Sequence, residues 1–374
     1  MKPKKVKFVL FIGLAASPFI FWPWAKIPYE IPRVWFISRW LELLGLAALI
    51  NLLAKNPAAI NSKIDGKLLG LVIAFFLWAV VASILGADLL KSIWGNYYRG
   101  DGLFTLAHLI GLFLFTALFW RSSWQKFTFQ IIATGSLAAG ILAIFGRTAF
   151  GQPNFLAGYL TVTLPFVWEM LRNRWSKIAV IFPIAAIAIT KSWGGLLGII
   201  IFFTYLAVKK MSRQIQLAIV SALGIMMIFA AVYFWQAAWS RPYPSRQFVP
   251  ESRERIIRSV LNGALRRPLF GWGWANVDYA FDANPWPMKF QPDIYLDKAH
   301  GVILEVFTTT GVIGLAIYLL LIGRAVWLAR RTAVFLPLIL YLFYSQTNIT
   351  SIATEVIFWL TLGIAASHQR WHDI

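Results

Sequence analysis

The chain contains no cysteine. Disulfide frameworks, thiolate nucleophiles and cysteine-based metal sites are therefore excluded. Histidine is nearly as scarce, with four in 374 residues, and Asp and Glu together number 15 against 35 Lys and Arg. His, Asp and Glu nowhere fall at metal-ligand spacing, so no metal site is expected. There is neither a phosphate-cradling glycine loop nor a dinucleotide fingerprint, and no cofactor is expected. Those absences disfavour an ATP-driven pump and a nucleotide-sugar enzyme of the soluble kind. Charge is thin overall: 13% of residues are charged, where soluble domains carry about a quarter.

What fills the chain instead is apolar. Hydrophobic residues make up 59% of it, and the mean hydropathy is +0.67. Nineteen Trp and thirty Phe suit a protein whose rings settle at a membrane interface and against lipid. The expectation is an all-α, polytopic integral membrane protein, a single membrane domain over residues 1–374 embedded in a lipid bilayer. The net charge of +20 then marks cytoplasmic loops before it marks a polyanion, so no nucleic-acid partner is expected.

A spanning helix needs about 20 apolar residues. About twelve candidates lie near 6–24, 34–54, 67–86, 103–120, 127–146, 154–171, 177–190, 193–208, 215–235, 301–323, 332–345 and 351–367. The pair around Lys191 could also form one broken hairpin. The first candidate follows a basic start without a convincing cleavage site, and reads as an uncleaved helix. With the N-terminus in the cytoplasm, alternate short loops hold Lys55, Lys63 and Lys67; Arg121 and Lys126; Arg172, Arg174 and Lys177; Lys209, Lys210 and Arg213; and Arg324, Arg330 and Arg331. That regularity predicts both termini inside a cytoplasmic (inner) membrane.

One long polar stretch, 236–300, interrupts the pattern between the ninth and tenth helices. It is predicted to be a large outer (periplasmic or extracytoplasmic) loop. It holds Arg241, Arg246, Arg253, Arg255, Arg258, Arg266, Arg267, Lys289 and Lys298. A basic cluster on the outer face calls for an anionic ligand, with phosphate the first choice.

Within it, SRERIIRSVLNGALRRPLFGWG (252–273) predicts a short amphipathic helix capped by Ser252. Ile256, Ile257, Val260, Leu261, Ala264 and Leu265 form one face; Arg255 and Arg258 fall outside it and Arg253 inside it. A first-turn arginine on the buried side opposes both the helix dipole and desolvation, and an anion there would answer both. Interfacial arginines that snorkel to lipid headgroups are the other reading, chiefly for Arg255 and Arg258.

DKAHGVILEVFTTTGVIG (297–314) follows. His300 stands where an apolar helix meets water. Imidazole suits proton acceptance near neutral pH, and an interfacial histidine that only bonds a loop is the alternative. Gly311 and Gly314 would let another helix approach closely. Glu305 lies about 140° around an ideal helix from His300, which argues against a simple dyad. A carboxylate within an apolar span is functional by default. WGNYYRGDG (94–102) is a compact outer turn whose Arg99 suits phosphate and whose Asp101 and aromatic rings suit sugar; an ordinary aromatic belt is the competing reading. In GQPNFLAGYL (151–160), Asn154 is a helix cap or a polar ligand.

These segments resemble the O-antigen ligase and O-antigen polymerase superfamily of envelope glycosyltransferases. The family pattern of histidine, a polar residue, nine residues and GxxG is matched by His300, Gly301, nine residues, Gly311 and Gly314. The 252–273 segment resembles the family's SR…PLFGxG, which puts Arg253 on its functional arginine. RGDGL and QPNFLAGYL resemble further family segments. Two departures stand out: Gly301 replaces the polar residue, and Trp193 in TKSWGGLLG (190–198) stands where an arginine is expected, leaving Lys191 as the nearby cation.

The resemblance implies a glycan carried on a polyprenyl diphosphate and moved en bloc to an acceptor hydroxyl on a glycan, lipid or protein. No metal would be needed. Arg253, helped by Arg255, Arg258 or Arg99, would neutralise the departing diphosphate, and His300 would activate the acceptor. Asp101, Lys191 and Glu305 would complete the substrate site. Ligase and polymerase are not separated by pattern. A lipid-linked glycan flippase or transporter, or an inactive homologue, are the competing classes. Convergence of His300, Arg253 and Arg99 on one outward cavity is the geometric expectation.

Overall fold

The computed structural model describes residues 4–53, 64–148, 150–170, 176–209, 211, 212, 214, 253–283 and 296–367, with 4, 5, 176, 177 and 253–255 described by backbone alone. Every regular element among them is helical. In chain order these are α1 (Lys4–Ala16), α2 (Glu30–Leu53), α3 (Gly66–Ile84), α4 (Leu89–Trp94), α5 (Leu103–Phe119), α6 (Ser122–Ile144), α7 (Pro153–Met170), α8 (Ile181–Ile189), α9 (Trp193–Val208), α10 (Arg253–Ala264), α11 (Val277–Asp282), α12 (Val302–Ala329), α13 (Phe335–Thr347) and α14 (Ile352–Ala366).

Four of them, α2, α3, α6 and α12, are long and apolar enough to cross a membrane. Shorter apolar helices accompany them, among them α5, α9, α13 and α14. The predicted run of about twelve comparable spans is thus coarser than the fold. The candidate at 215–235 lies outside the described residues. The stretch 236–300 is not simply a loop, because it contains α10 and α11, while its parts 236–252 and 284–295 lie outside the described residues.

Burial sorts the helices into an inner pair and a surround. In α7 every residue from Phe155 to Val167 is buried, and in α14 every residue except Glu355. Such all-round burial explains why these helices lack a polar face. The surrounding helices expose apolar rows, such as Leu43, Leu46 and Leu49 on α2 and Leu319 and Leu320 on α12. Exposed leucine rows on a polytopic bundle meet lipid at no cost.

Two polar seams tie the ends of the bundle. At one end Glu30 accepts the backbone N–H of Ile352 (3.0 Å) and pairs with Arg33 (2.6 Å). At the other, Arg324 forms an ion pair with Asp65, whose N–H donates to Ala366 O (3.0 Å). The candidate site lies at the first end.

Candidate functional site

The site is built on a broken helix. α12 starts after Gly301 and is interrupted at Gly311, whose φ of 68° is not helical. A break inside a membrane helix frees backbone groups that must be satisfied within the protein. Here a strap does it. Val312 N donates to Pro268 O (2.7 Å), Trp272 N to Thr308 O (2.9 Å) and Gly273 N to Thr309 O (2.9 Å). Trp78 Nε1 of α3 takes Thr310 O (2.8 Å). The strap is the PLFGWG run that follows α10. A Cβ on Gly311 would stand 2.1 Å from Leu269 O, and one on Gly271 2.5 Å from the Thr309 carbonyl carbon. Gly311 therefore admits a loop rather than the helix expected from its spacing, whereas Gly314 does face a helix, at Trp78 of α3.

The strap fixes α10 against α12, so the arginine helix and the histidine helix share one frame. Ile256 and Val260 of α10 bury with Val277, Leu296 and Ala299. This corrects the helical-wheel reading. Ile257 and Leu265, expected inside, are exposed, while Arg258, expected outside, is 8% exposed. The apolar stripe is wider than the surface α12 and α11 offer it, so only part of it is covered. The side chains of Arg253 and Arg255, and Ser252 altogether, lie outside the described residues; the backbone places both arginines in the first turn of α10.

The segment 296–301 carries the next groups. Leu296 and Ala299 point into the α10–α11 cluster, which leaves Asp297, Lys298 and His300 to face elsewhere. Arg99 forms an ion pair with Asp297, with its guanidinium 5.0 Å from the Phe155 ring. Lys298 is bound by both Asp101 and Glu305. His300 takes φ 58°, a left-handed conformation uncommon for a residue with a side chain. Gly301 is extended, and a Cβ there would meet Gln346 O at 3.3 Å.

On the facing side, the turn 94–102 holds Arg99 and Asp101 in place. Tyr98 N donates to Asn96 Oδ1 (2.8 Å), Asn96 N to Asp101 Oδ1 (3.0 Å) and Gly100 N to Asn96 O (2.7 Å). Trp274 Nε1 donates to Asp101 O (2.9 Å), joining this turn to the strap. Burial alone would push the Asp101 carboxyl up, but the Lys298 ammonium against it, the Asn96 N–H and nearby Arg99 together hold it below the usual carboxylate range. Burial likewise opposes the charge on Lys298; Asp101 and Glu305 outweigh it and hold the ammonium above its usual value.

His300, Arg99, Asp101, Lys298 and Glu305 line one cavity of about 150 Å³, together with Glu30, Tyr318, Tyr341 and Glu355. Four of the residues singled out in the sequence thus meet, from α5's leading turn, the 296–301 segment and α12. Arg258 and Lys191 are not among the lining residues. Lys191 sits in the α8–α9 turn at φ 55°, exposed beside the exposed Trp193. Asn154 lies inside the first turn of α7, and its carbonyl accepts from Tyr344 Oη (2.5 Å). The sequence reading left Lys298 unassigned, although it precedes His300 by two positions. It also missed the phenols Tyr318 and Tyr341. Glu355 carried a signal, as a carboxylate in an apolar span.

Comparison with known proteins gives one family. Residues 178–319 match the family model described as O-antigen ligase. The matched segment runs from α8 into α12 and contains Lys191, Arg253, Arg255, Arg258, Lys298, His300 and Glu305; Arg99, Asp101, Tyr341 and Glu355 lie outside it. No curated protein matches the chain.

Proposed function

We propose, on the premise of the O-antigen ligase match over residues 178–319, that the chain is a membrane glycosyltransferase that moves a glycan from a polyprenyl diphosphate to an acceptor hydroxyl at the outer face of the cytoplasmic membrane. The observation that carries this reading is the convergence of His300, Arg99, Asp101, Lys298 and Glu305 on a single cavity beside α10.

In the proposed step the acceptor oxygen attacks the anomeric carbon of the donor. The bond from that carbon to the diphosphate oxygen breaks, and its electron pair leaves with the polyprenyl diphosphate. His300 receives the acceptor proton and returns it to water. General-base assistance of this kind contributes about 10²–10⁴-fold. Single displacement inverts the anomeric centre.

Charge balance assigns the arginines their part. Around the cavity mouth, Asp101, Asp297 and Glu305 outnumber Arg99 and Lys298, which are all paired with one another. That network by itself does not attract a diphosphate. The positive excess comes from α10, with Arg253 and Arg255 in its first turn and Arg258 one turn on. Arg253 is the principal stabiliser of the leaving diphosphate, Arg255 and Arg258 support it, and Arg99 and Lys298 hold the mouth in shape and orient the phosphates. No metal has a role in this scheme. The acceptor, a growing glycan or a lipid- or protein-borne hydroxyl, separates polymerase from ligase.

The test is transfer in detergent from a purified polyprenyl-diphosphate glycan to a mixture of acceptors, with and without chelator. Wild type should transfer in both conditions, and His300→Ala and Arg253→Ala should each lose at least about 100-fold while remaining folded. Undiminished transfer by both variants would remove these residues from the site. Loss of wild-type transfer on chelation would overturn the metal-free scheme.

A further inference from the structure

The floor of the cavity carries a second polar cluster that the displacement does not use. Glu355, alone on α14 in escaping full burial, faces the cavity. Its Oε1 accepts both Tyr341 Oη (2.7 Å) and Thr350 Oγ1 (2.5 Å). Tyr318 lines the same cavity at 7% exposure, and its Oη makes no hydrogen bond among the described residues. A buried hydroxyl left unpaired costs about 1–3 kcal/mol. An unpaired hydroxyl that lines a cavity is open to a partner from outside the protein.

The chemistry of the floor differs from that of the mouth. It offers two phenols and a carboxyl with no cation among them, which does not suit a diphosphate. Aromatic rings wall it: Phe358 stacks on Tyr341 at 4.0 Å between centroids, and Phe75 lies 5.5 Å from Tyr318. A carboxyl that accepts, a phenol free to donate and flat apolar walls match a sugar ring, whose hydroxyls need bonding partners and whose C–H faces need an apolar surface.

We propose that Tyr318, Tyr341 and Glu355 form a carbohydrate subsite that binds the hydroxyls of one hexose-type ring beneath the charged mouth. The assignment deepens the glycosyltransferase reading and rests on it for the origin of that sugar. The ring is either the first sugar of the donor or the terminal sugar of the acceptor.

Binding to the full-length protein in detergent tests it. The probes are undecaprenyl diphosphate without sugar, the same lipid carrying one N-acetylhexosamine, and free hexoses and N-acetylhexosamines. Wild type, Tyr318→Phe and Glu355→Gln are compared, with thermal unfolding measured alongside. Both variants should bind a sugar-bearing probe about five- to tenfold more weakly, the loss of one hydrogen bond, and bind the bare lipid unchanged. Tyr318→Phe should unfold at the same or a higher temperature, because its hydroxyl has no protein partner to lose. Weakening confined to the sugar-bearing lipid places the donor's sugar on the floor, and weakening confined to free sugars places the acceptor's there. Wild type that gains nothing from the sugar, or variants with unchanged sugar affinity, would overturn the subsite. So would a Tyr318→Phe protein that is destabilised and loses all probes equally. If only the transferase reading fails, wild type will show the sugar-dependent binding without transfer.

Discussion

Lys298 and Glu305 form an ion pair across the entrance of α12, and Asp101 closes the same ammonium from the opposite wall. Three charges thus share one buried node fed by the 94–102 turn, the 296–301 segment and the broken helix. Removing one member of a buried pair leaves its partners uncompensated, which costs about 3–5 kcal/mol. Lys298→Met should lower stability by that order. The triple variant Lys298→Met, Asp101→Asn, Glu305→Gln should recover much of the loss, because it removes the stranded carboxylates. Unfolding of the three proteins in one detergent checks both expectations; a Lys298→Met protein as stable as wild type would show the node to be solvated.

The same node sets a pH dependence. The Asp101 carboxyl is held below its usual range, so its stabilising share is complete above about pH 3.9, the unfolded value, and is lost as pH falls through the lower folded value. Lys298 is held above its usual value, so its share is complete below about pH 10.4 and is lost as pH rises through the higher folded value. The stability gap between wild type and Asp101→Asn should therefore be flat around and above neutral pH, to about pH 9, and close only in acid. A gap that shrinks near neutrality would contradict this assignment.

His300 combines the proposed base with a left-handed backbone, φ 58°. That conformation costs a side-chain-bearing residue about 1–2 kcal/mol relative to glycine. His300→Gly should therefore raise the unfolding temperature while abolishing transfer, whereas His300→Ala should abolish transfer without the gain in stability. A residue held there only for packing would lose both together. The pair of variants separates strain held for chemistry from strain held for the fold.

Gly311 is the point where the strap enters α12. Gly311→Ala would bring a methyl carbon to 2.1 Å from Leu269 O at a backbone φ of 68°, and both effects oppose it. The expected cost is about 1–3 kcal/mol from the backbone alone, with more from the displaced strap. Gly323, on the same helix, has open space around its Cβ position. Gly323→Ala should be neutral or stabilising by up to about 1 kcal/mol. The contrast in thermal unfolding tests the strap directly. Equal effects at the two positions would mean that it does not bear on stability.

These relationships mark how far the sequence could be read. The apolar runs announced helices, and 252–273 announced α10, because both signals are local. The meeting of Arg99 and Asp101 with His300 and Glu305 was legible only through the family pattern. The strap was not legible, since Gly311 looks the same whether a helix or a loop approaches it, and the approaching residues, Leu269 and Phe270, lie far earlier in the chain. Lys298 was read only as one member of the basic cluster, because its carboxylates come from opposite walls. Arg258 was placed on the wrong side of α10 because a helical wheel ranks apolarity but does not know how much surface the neighbours can cover. Tyr318 and Tyr341 gave no signal, as phenols in apolar runs are ordinary.

The absence of cysteine turns the chain into its own blank for measuring orientation. Tyr97 is exposed in the turn that carries Arg99 and Asp101, and Arg331 is exposed at the opposite end, beyond α12. The orientation proposed from the charge pattern has the first end outside and the second in the cytoplasm. Tyr97→Cys should therefore react with a membrane-impermeant maleimide on intact spheroplasts, and Arg331→Cys only after the membrane is opened. Neither substitution touches the Lys298 node, so both proteins should keep wild-type stability and the labels report position alone. Labelling in the reverse order would put the cavity on the cytoplasmic side, where a donor already presented at the outer face could not reach it, and the proposed reaction would have to be abandoned whatever the residues in the cavity.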